Sequence, residues 1–213
     1  MALVLRQFED VLRGGQPFRS TKVLPRAIYV AAGAVNGGGA RLERDDGSVT
    51  LDQLDITAGE DGACLWRWEL DAADAAPEAV GDRSTLRMEA QVLEGDVAAD
   101  HLLRLDSVAF PPSGCAFLHT HQGPGIRCLI EGRIRIDTDG HSTAYGPGSP
   151  WFEAGPEPVF AQADAELATL FIRVMVLPKS LLGQSSIRYV NADDQAKPKA
   201  QRYHVYSEIV LAG

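Results

Sequence analysis

The sequence predicts an all-β protein, on three observations. Twenty-one glycines and twelve prolines cut the 213 residues into short pieces. Most of those pieces are β-branched or alternate apolar with polar residues, and helical periodicity is confined to two short stretches, 3–12 and 71–80. Strands are expected in order. AIYVAA (27–32) is an apolar run closed by Gly33, and SVTLDQLDI (48–56) alternates. ACLWRWEL (63–70) places Trp66 and Trp68 on one face, where they pack in a core or an interface. Alternating or β-branched segments follow at 84–92, 102–109, 115–121 and 126–131. RIRIDT (133–138) alternates and is closed by Asp139-Gly140, a hairpin signal that leaves His141 on an exposed turn. The last two are 157–162 and 167–176. The glycine-rich GAVNGGGA (33–40) reads as a hairpin tip, because it lacks the lysine and following helix that phosphate binding requires. The tail, 179–213, has a polar stretch at 192–202 and then an alternating strand that includes His204.

Composition excludes several classes. Apolar residues are 45% and charged residues 23%, the profile of an ordinary globular chain. The formal net charge is -9, with basic residues scattered singly, so no nucleic-acid partner is expected. No run approaches the roughly 20 apolar residues of a membrane span. The first residues lack a secretory pattern, so the expected location is the cytoplasm. Cys64, Cys115 and Cys128 are odd in number and widely spaced, which reads as buried thiols and not a disulfide framework.

The chain also carries a possible duplication. Residues 28–48 followed by 57–70 resemble 127–149 followed by 161–177. Both have a strand ending in glycine (Gly33, Gly132), a turn-rich return and a long closing strand. The first copy contains no histidine. Either the copies are related or two β meanders look alike. The expected organisation is an N-terminal β segment (1–83), a barrel (84–178) and a C-terminal extension (179–213) packing on the barrel or on a partner subunit.

Chemistry concentrates in GCAFLHTHQGPGIRCLIEG (114–132). His119 and His121 are two apart, so on a strand their rings share one face and can chelate one divalent metal. This arrangement resembles the first motif of the cupin superfamily. Gly114, His119, His121 and Gly132 fit, with four residues instead of five between Gly114 and His119, and the motif's glutamate falls on Gly125. The second motif is similar to YGPGSPWFEAGPEPVFAQ (145–162). There Gly155 fits, Gln162 stands at the asparagine position, Glu153 replaces the proline, the leading glycine is Gly146 or Gly148, and the motif's histidine falls on Pro158.

The resemblance implies a cupin-type jelly-roll barrel (double-stranded β-helix) with additional N-terminal strands and a C-terminal strand extension, in the RmlC-like manner. It implies an interior pocket beside the histidine pair, a homodimer, and, if the first segment is a decayed half, a degenerate bicupin. Family members hold iron, manganese, nickel, zinc or copper as dioxygenases, isomerases or oxidases, or have lost metal. Fold alone does not choose among them.

Two imidazoles leave a metal underligated. Glu157, next to the missing histidine, is the candidate third ligand, with Glu153 and Gln162 as other oxygen donors nearby; alternatively Glu157 and Glu153 are solvated turn carboxylates. Period two places Arg127 on the pocket face, where its planar fork suits an anionic small-molecule substrate. Alternatively it pairs with Glu131 or Glu153, or it faces outward while Ile126, Cys128 and Ile130 face in. Gln162, Tyr145 and Trp151 are the other candidate substrate-binding residues. His101 is read as a surface residue at the start of a strand. Three functions compete: a divalent-metal enzyme acting on a small acidic metabolite, a non-catalytic binding or structural module with a decayed site, and metal-free epimerisation with His119 as base.

Overall fold

The computed structural model describes residues 2–79, 81–94 and 100–211. It divides into two compact units, Met1–Leu105 with Tyr206–Gly213, and Asp106–Val205. Residues 84–105 therefore belong to the first unit, where the sequence reading began the barrel at 84. The C-terminal residues from 206 onward return to the first unit.

The first unit is one antiparallel sheet. Its strands are β1 (Leu3–Leu12), β2 (Pro17–Arg19), β3 (Arg26–Gly37), β4 (Ala40–Glu43), β5 (Gly47–Thr50), β6 (Asp55–Ala72) and β7 (Ser84–Leu93). The order is β4-β3-β6-β1-β7, with β2 paired to β6 and β5 to β3. Its core holds Leu12, Phe18, Val30, Val35, Ile56 and Leu65.

Two five-stranded sheets follow. They comprise β8 (His101–Phe110), β9 (Cys115–His121), β10 (Gly125–Glu131), β11 (Ile134–Thr138), β12 (His141–Tyr145), β13 (Pro150–Glu153), β14 (Val159–Ala163), β15 (Thr169–Pro178), β16 (Ile187–Tyr189) and β17 (Arg202–Val210), with one short helix, α1 (Ala192–Ala196). The orders are β13-β10-β15-β8-β17 and β12-β11-β14-β9-β16. Inward residues of both, among them Phe110, Leu129, Ile136, Val159 and Phe171, share one core. This is the jelly-roll arrangement in which alternate side chains fill or line the interior.

The structure corrects the helical readings. Residues 3–12 form β1, buried along nearly its whole length, including Arg6, Gln7 and Asp10. A strand buried on both faces shows no alternation, so its pattern passes for a helix. Residues 71–79 complete β6 and turn, and residue 80 lies outside the described residues. The expected strand at 48–56 is two strands separated by a turn, in which the Asp52 N–H donates to Thr50 Oγ1. The segment at 63–70 is the end of an 18-residue strand.

Three strands of each unit share an order and a register. The order β3-β6-β1 matches β10-β15-β8. Both pairings carry a bulge at the same step: Val30 pairs with Leu65 and Ala32 with Cys64, as Leu129 pairs with Phe171 and Glu131 with Leu170. Each ladder also holds a buried arginine fixed by a carboxylate on the next strand, Arg67 by Asp10 and Arg173 by Asp106. Gly33, within β3, and Gly132, just after β10, stand at matching register positions with φ +74° and +76°, and a Cβ on either would strike a facing carbonyl oxygen, of Gly62 or Ala168. Gly33→Ala and Gly132→Ala should therefore each lower stability by about 1–3 kcal/mol. A urea titration unchanged by both would show that neither bend needs glycine.

Candidate functional site

β9 turns His119 and His121 to the interior, both buried. The His121 N–H donates to the Gly155 carbonyl at 2.7 Å, which ties the strand end to the β13–β14 loop. The rings stand 4.8 Å apart at 83°, with Nε2 atoms 3.2 Å apart. His119 Nδ1 lies 2.7 Å from the Phe117 carbonyl, which only accepts, so Nδ1 carries the proton and Nε2 presents a lone pair. His121 Nδ1 is 3.4 Å from Ser186 Oγ. Burial pushes the His119 pKa down and pushes that of His121 well down, where Arg127, Arg173 and His119 add to the effect. Both imidazoles are neutral at neutral pH.

Arg127 points inward and is fully buried, as the alternation from position 125 requires. Its Nη1 donates to the Gly125 carbonyl at 2.6 Å, and its Nη2 lies 2.8 Å from Glu153 Oε2. Glu153 sits opposite Gly125 on β13. Its Oε1 accepts from Trp151 Nε1 at 2.9 Å, and its Oε2 is 3.5 Å from His121 Nε2. Although Arg127 Nη2 and Glu153 Oε2 are close, they are misaligned, and neither makes a directed hydrogen bond. Both are buried with hydrogen-bonding capacity to spare. Burial lowers the Arg127 pKa to about 10, against the pull of Glu153. Burial also works against the charge of Arg173, but Asp106, held in two contacts of 2.5 and 3.0 Å, more than offsets it.

His119, His121, Arg127, Glu153 and Arg173 line a cavity of about 20 Å³ with Phe171 and Tyr203, room for one water-sized species. Two nitrogens bound to one ion at roughly 2.0–2.1 Å stand about 3.0–3.4 Å apart at ordinary coordination angles, so the histidine spacing fits a divalent ion. Among the described residues no three His, Cys, Asp or Glu side chains already form a ligand group. Glu153 comes nearest to a third ligand and is held by Arg127.

The other expected site residues lie elsewhere. Glu157 is exposed in the loop between β13 and β14, because the chain turns outward after Glu153. Glu157 therefore does not reach the histidines, contrary to expectation, whereas Glu153 Oε2 lies 3.5 Å from His121 Nε2. Gln162 faces away from the cavity, where its Nε2 donates to the Ser113 and Gly114 carbonyls at 3.1 Å each and holds the turn before β9. Trp151 is core, and Tyr145 stacks on it at 4.8 Å. Neither lines the cavity; they set the position of Glu153. Arg173, Asp106 and Tyr203 were missed. The signal for Arg173 was a lone charge inside the apolar run LFIRVMVL of β15, whereas its partner lies 67 residues away.

The neutral histidines give metal-free protein a pH dependence. Below about pH 6.5 the unfolded chain takes up protons that the folded site refuses, so stability falls as pH falls from there toward the depressed folded values. The urea midpoint should drop between about pH 7.5 and about pH 5.5, and less so in a His119→Asn, His121→Asn double variant. Equal slopes would assign the effect to other groups.

No protein-family model matches the chain, and no curated protein matches its sequence. Solved structures do. An oxalate decarboxylase of Bacillus subtilis, described with Mn(II) centres, aligns with TM-score 0.65 at 12% identity over 91% of this chain and 73% of its own. A salicylate 1,2-dioxygenase from Pseudaminobacter salicylatoxidans aligns at 0.56 and 11% over 95% and 75%. A cupin 2 conserved barrel domain protein from Leptotrichia buccalis aligns at 0.51 and 12% over 82% and 84%. At these identities the likeness is one of fold.

Proposed function

We propose that this chain, whose fold is that of the cupin superfamily, is a metal-dependent enzyme acting on a small carboxylate within its second unit. The observation that carries the reading is the pair of neutral, inward imidazoles with Nε2 atoms 3.2 Å apart beside the unsatisfied Glu153 Oε2. His119, His121 and Glu153 would hold the ion. A divalent iron, manganese, nickel or zinc ion supplies Lewis acidity or redox capacity there.

The chain's own residues provide the rest. The Phe117 carbonyl fixes the His119 tautomer, and Trp151 Nε1 orients Glu153. Charge favours an anionic ligand. Arg127 and Glu153 cancel, as do Arg173 and Asp106, and the imidazoles are neutral, so a divalent ion leaves two positive charges in a buried site. A carboxylate offsets them, and the planar fork of Arg127 is the group to receive it. The Bacillus protein, an oxalate decarboxylase by name, supports the same ligand class by analogy of fold.

A second reading, a binding module with a decayed site, is favoured by Arg127 already occupying Glu153. Calorimetric titration of manganese-loaded protein with formate and with oxalate separates the two. The enzyme reading expects saturable binding, weakened roughly tenfold to a hundredfold in Arg127→Gln through loss of charged hydrogen bonds. Absence of binding, or binding untouched by Arg127→Gln, counts against it.

We also propose that the first unit is the decayed half of a duplicated barrel. At the register positions of Arg127 and Glu153 it carries Ile28 and Thr50, which line a pocket of about 370 Å³ with Val35 and Ile56. No metal-binding side chain stands at either position.

A further inference from the structure

The cavity of about 20 Å³ beside His119 and His121 holds an ion or one water and nothing larger. A carboxylate can enter only if part of the wall moves. Every lining residue but one is less than a tenth exposed. The exception is Tyr203, 45% exposed, on β17 at the edge of its sheet.

We propose that Tyr203 is the gate of this site: its side chain moves aside to admit a ligand, and its bulk limits the size of carboxylate that fits. A latch holds it shut. Gln201 Nε2 donates to the hydroxyls of both Tyr203 and Tyr189 at 3.1 Å each, and Tyr189 lies on β16 with its ring 6.4 Å from that of His119. What the gate covers is Arg173, whose guanidinium sits 5.4 Å from the Tyr203 ring centre. Opening therefore uncovers a cation already held in place by Asp106, at the point where an anion would pass. A tyrosine is suited to this work because ring and hydroxyl close the wall and seat the latch together, while an edge strand leaves the side chain free on one flank. The size limit rests on the carboxylate reading above; the gate does not.

The test reads access without relying on catalysis. Diethyl pyrocarbonate acylates neutral imidazoles that solvent can reach, and mass spectrometry of peptides follows each histidine in full-length, chelator-treated protein. His141, exposed on the β11–β12 hairpin, is the internal reference. In the wild type His119 and His121 should react far more slowly than His141. Tyr203→Ala should speed both by about tenfold or more, leaving the His141 rate unchanged and unfolding cooperative. Tyr203→Phe, which keeps the ring and loses the hydroxyl, should fall between, as should Gln201→Ala, which also serves if Tyr203→Ala does not fold. Wild-type rates equal to that of His141, or rates indifferent to all three substitutions, overturn the gate. Zinc uptake by the same proteins keeps the two readings apart. Faster acylation without zinc binding leaves the gate standing and removes the metal; zinc binding with unchanged acylation removes the gate alone.

Discussion

Asp106→Asn is expected to lower the stability of the fold by about 3–5 kcal/mol, among the largest effects of any single change. Arg173 is buried, and Asp106 is its carboxylate partner, with both oxygens in contact with the guanidinium. Removing that charge leaves a buried cation with the Tyr203 ring beside it and the more distant Glu153, which is already paired with Arg127, and together these repay little of the lost solvation. The matching change in the first unit, Asp10→Asn, should cost less. Arg67 keeps Glu69 and lies over the rings of Phe8 and Phe18 at 4.1 and 5.0 Å. Replacing both Asp106 and Arg173 by Leu and Met should recover much of the loss, since an apolar pair of similar volume avoids the desolvation cost altogether. Exposed pairs set the contrast: removing Arg19–Asp55 should change stability by about 0–1 kcal/mol. Urea denaturation decides, and an Asp106→Asn variant no weaker than the Arg19 variant contradicts the account.

The second large effect concerns Arg127. Arg127→Met leaves Glu153 buried with no counter-charge, so metal-free protein should again lose about 3–5 kcal/mol. The consequence for metal is opposite in sign. Arg127 and an ion compete for the same Oε2, 2.8 Å from the guanidinium and 3.5 Å from His121 Nε2. Without the arginine, the ion is the natural partner of Glu153. The rise in melting temperature on adding zinc or manganese should accordingly be larger in Arg127→Met than in the wild type, because a ligand that binds only the folded state stabilises it more the more tightly it binds, as the logarithm of its affinity. An equal or smaller rise would show that Glu153 is not a ligand.

Much of this was legible in the sequence, and the gaps have physical causes. β3, β7, β9 to β11, β14 and β15 announced themselves because their residues are β-branched or alternate in burial, and β8 was read as a strand although it is buried along nearly its whole length. β1 did not, since a strand buried on both faces, with charged residues inside, has the pattern of an amphipathic helix. β2, β4 and β13 span three or four residues, too few to display any period. β6 was broken up in the reading by Gly59 and Gly62, which lie within the strand where it bends past its neighbours. In the site, spacing put His119 and His121 on one face, whereas the inward face for Arg127 rested on the motif position of Gly125 and stood beside an outward alternative that its burial removes. The choice between Glu153 and Glu157 depended on the path of the loop after β13, which the five residues 154–158 decide and no periodicity reveals. Asp106 and Arg173 meet only through the pairing of distant strands, and their repetition as Asp10 and Arg67 became visible once both ladders were laid in register.

If the two imidazoles hold a cation, elemental analysis of protein purified without chelator should find about one transition ion per chain, absent from a His119→Ala, His121→Ala variant that keeps its strand content and cooperative unfolding. Protein that carries no such ion and takes up none of iron, manganese, nickel or zinc would leave the pair without a metal to hold.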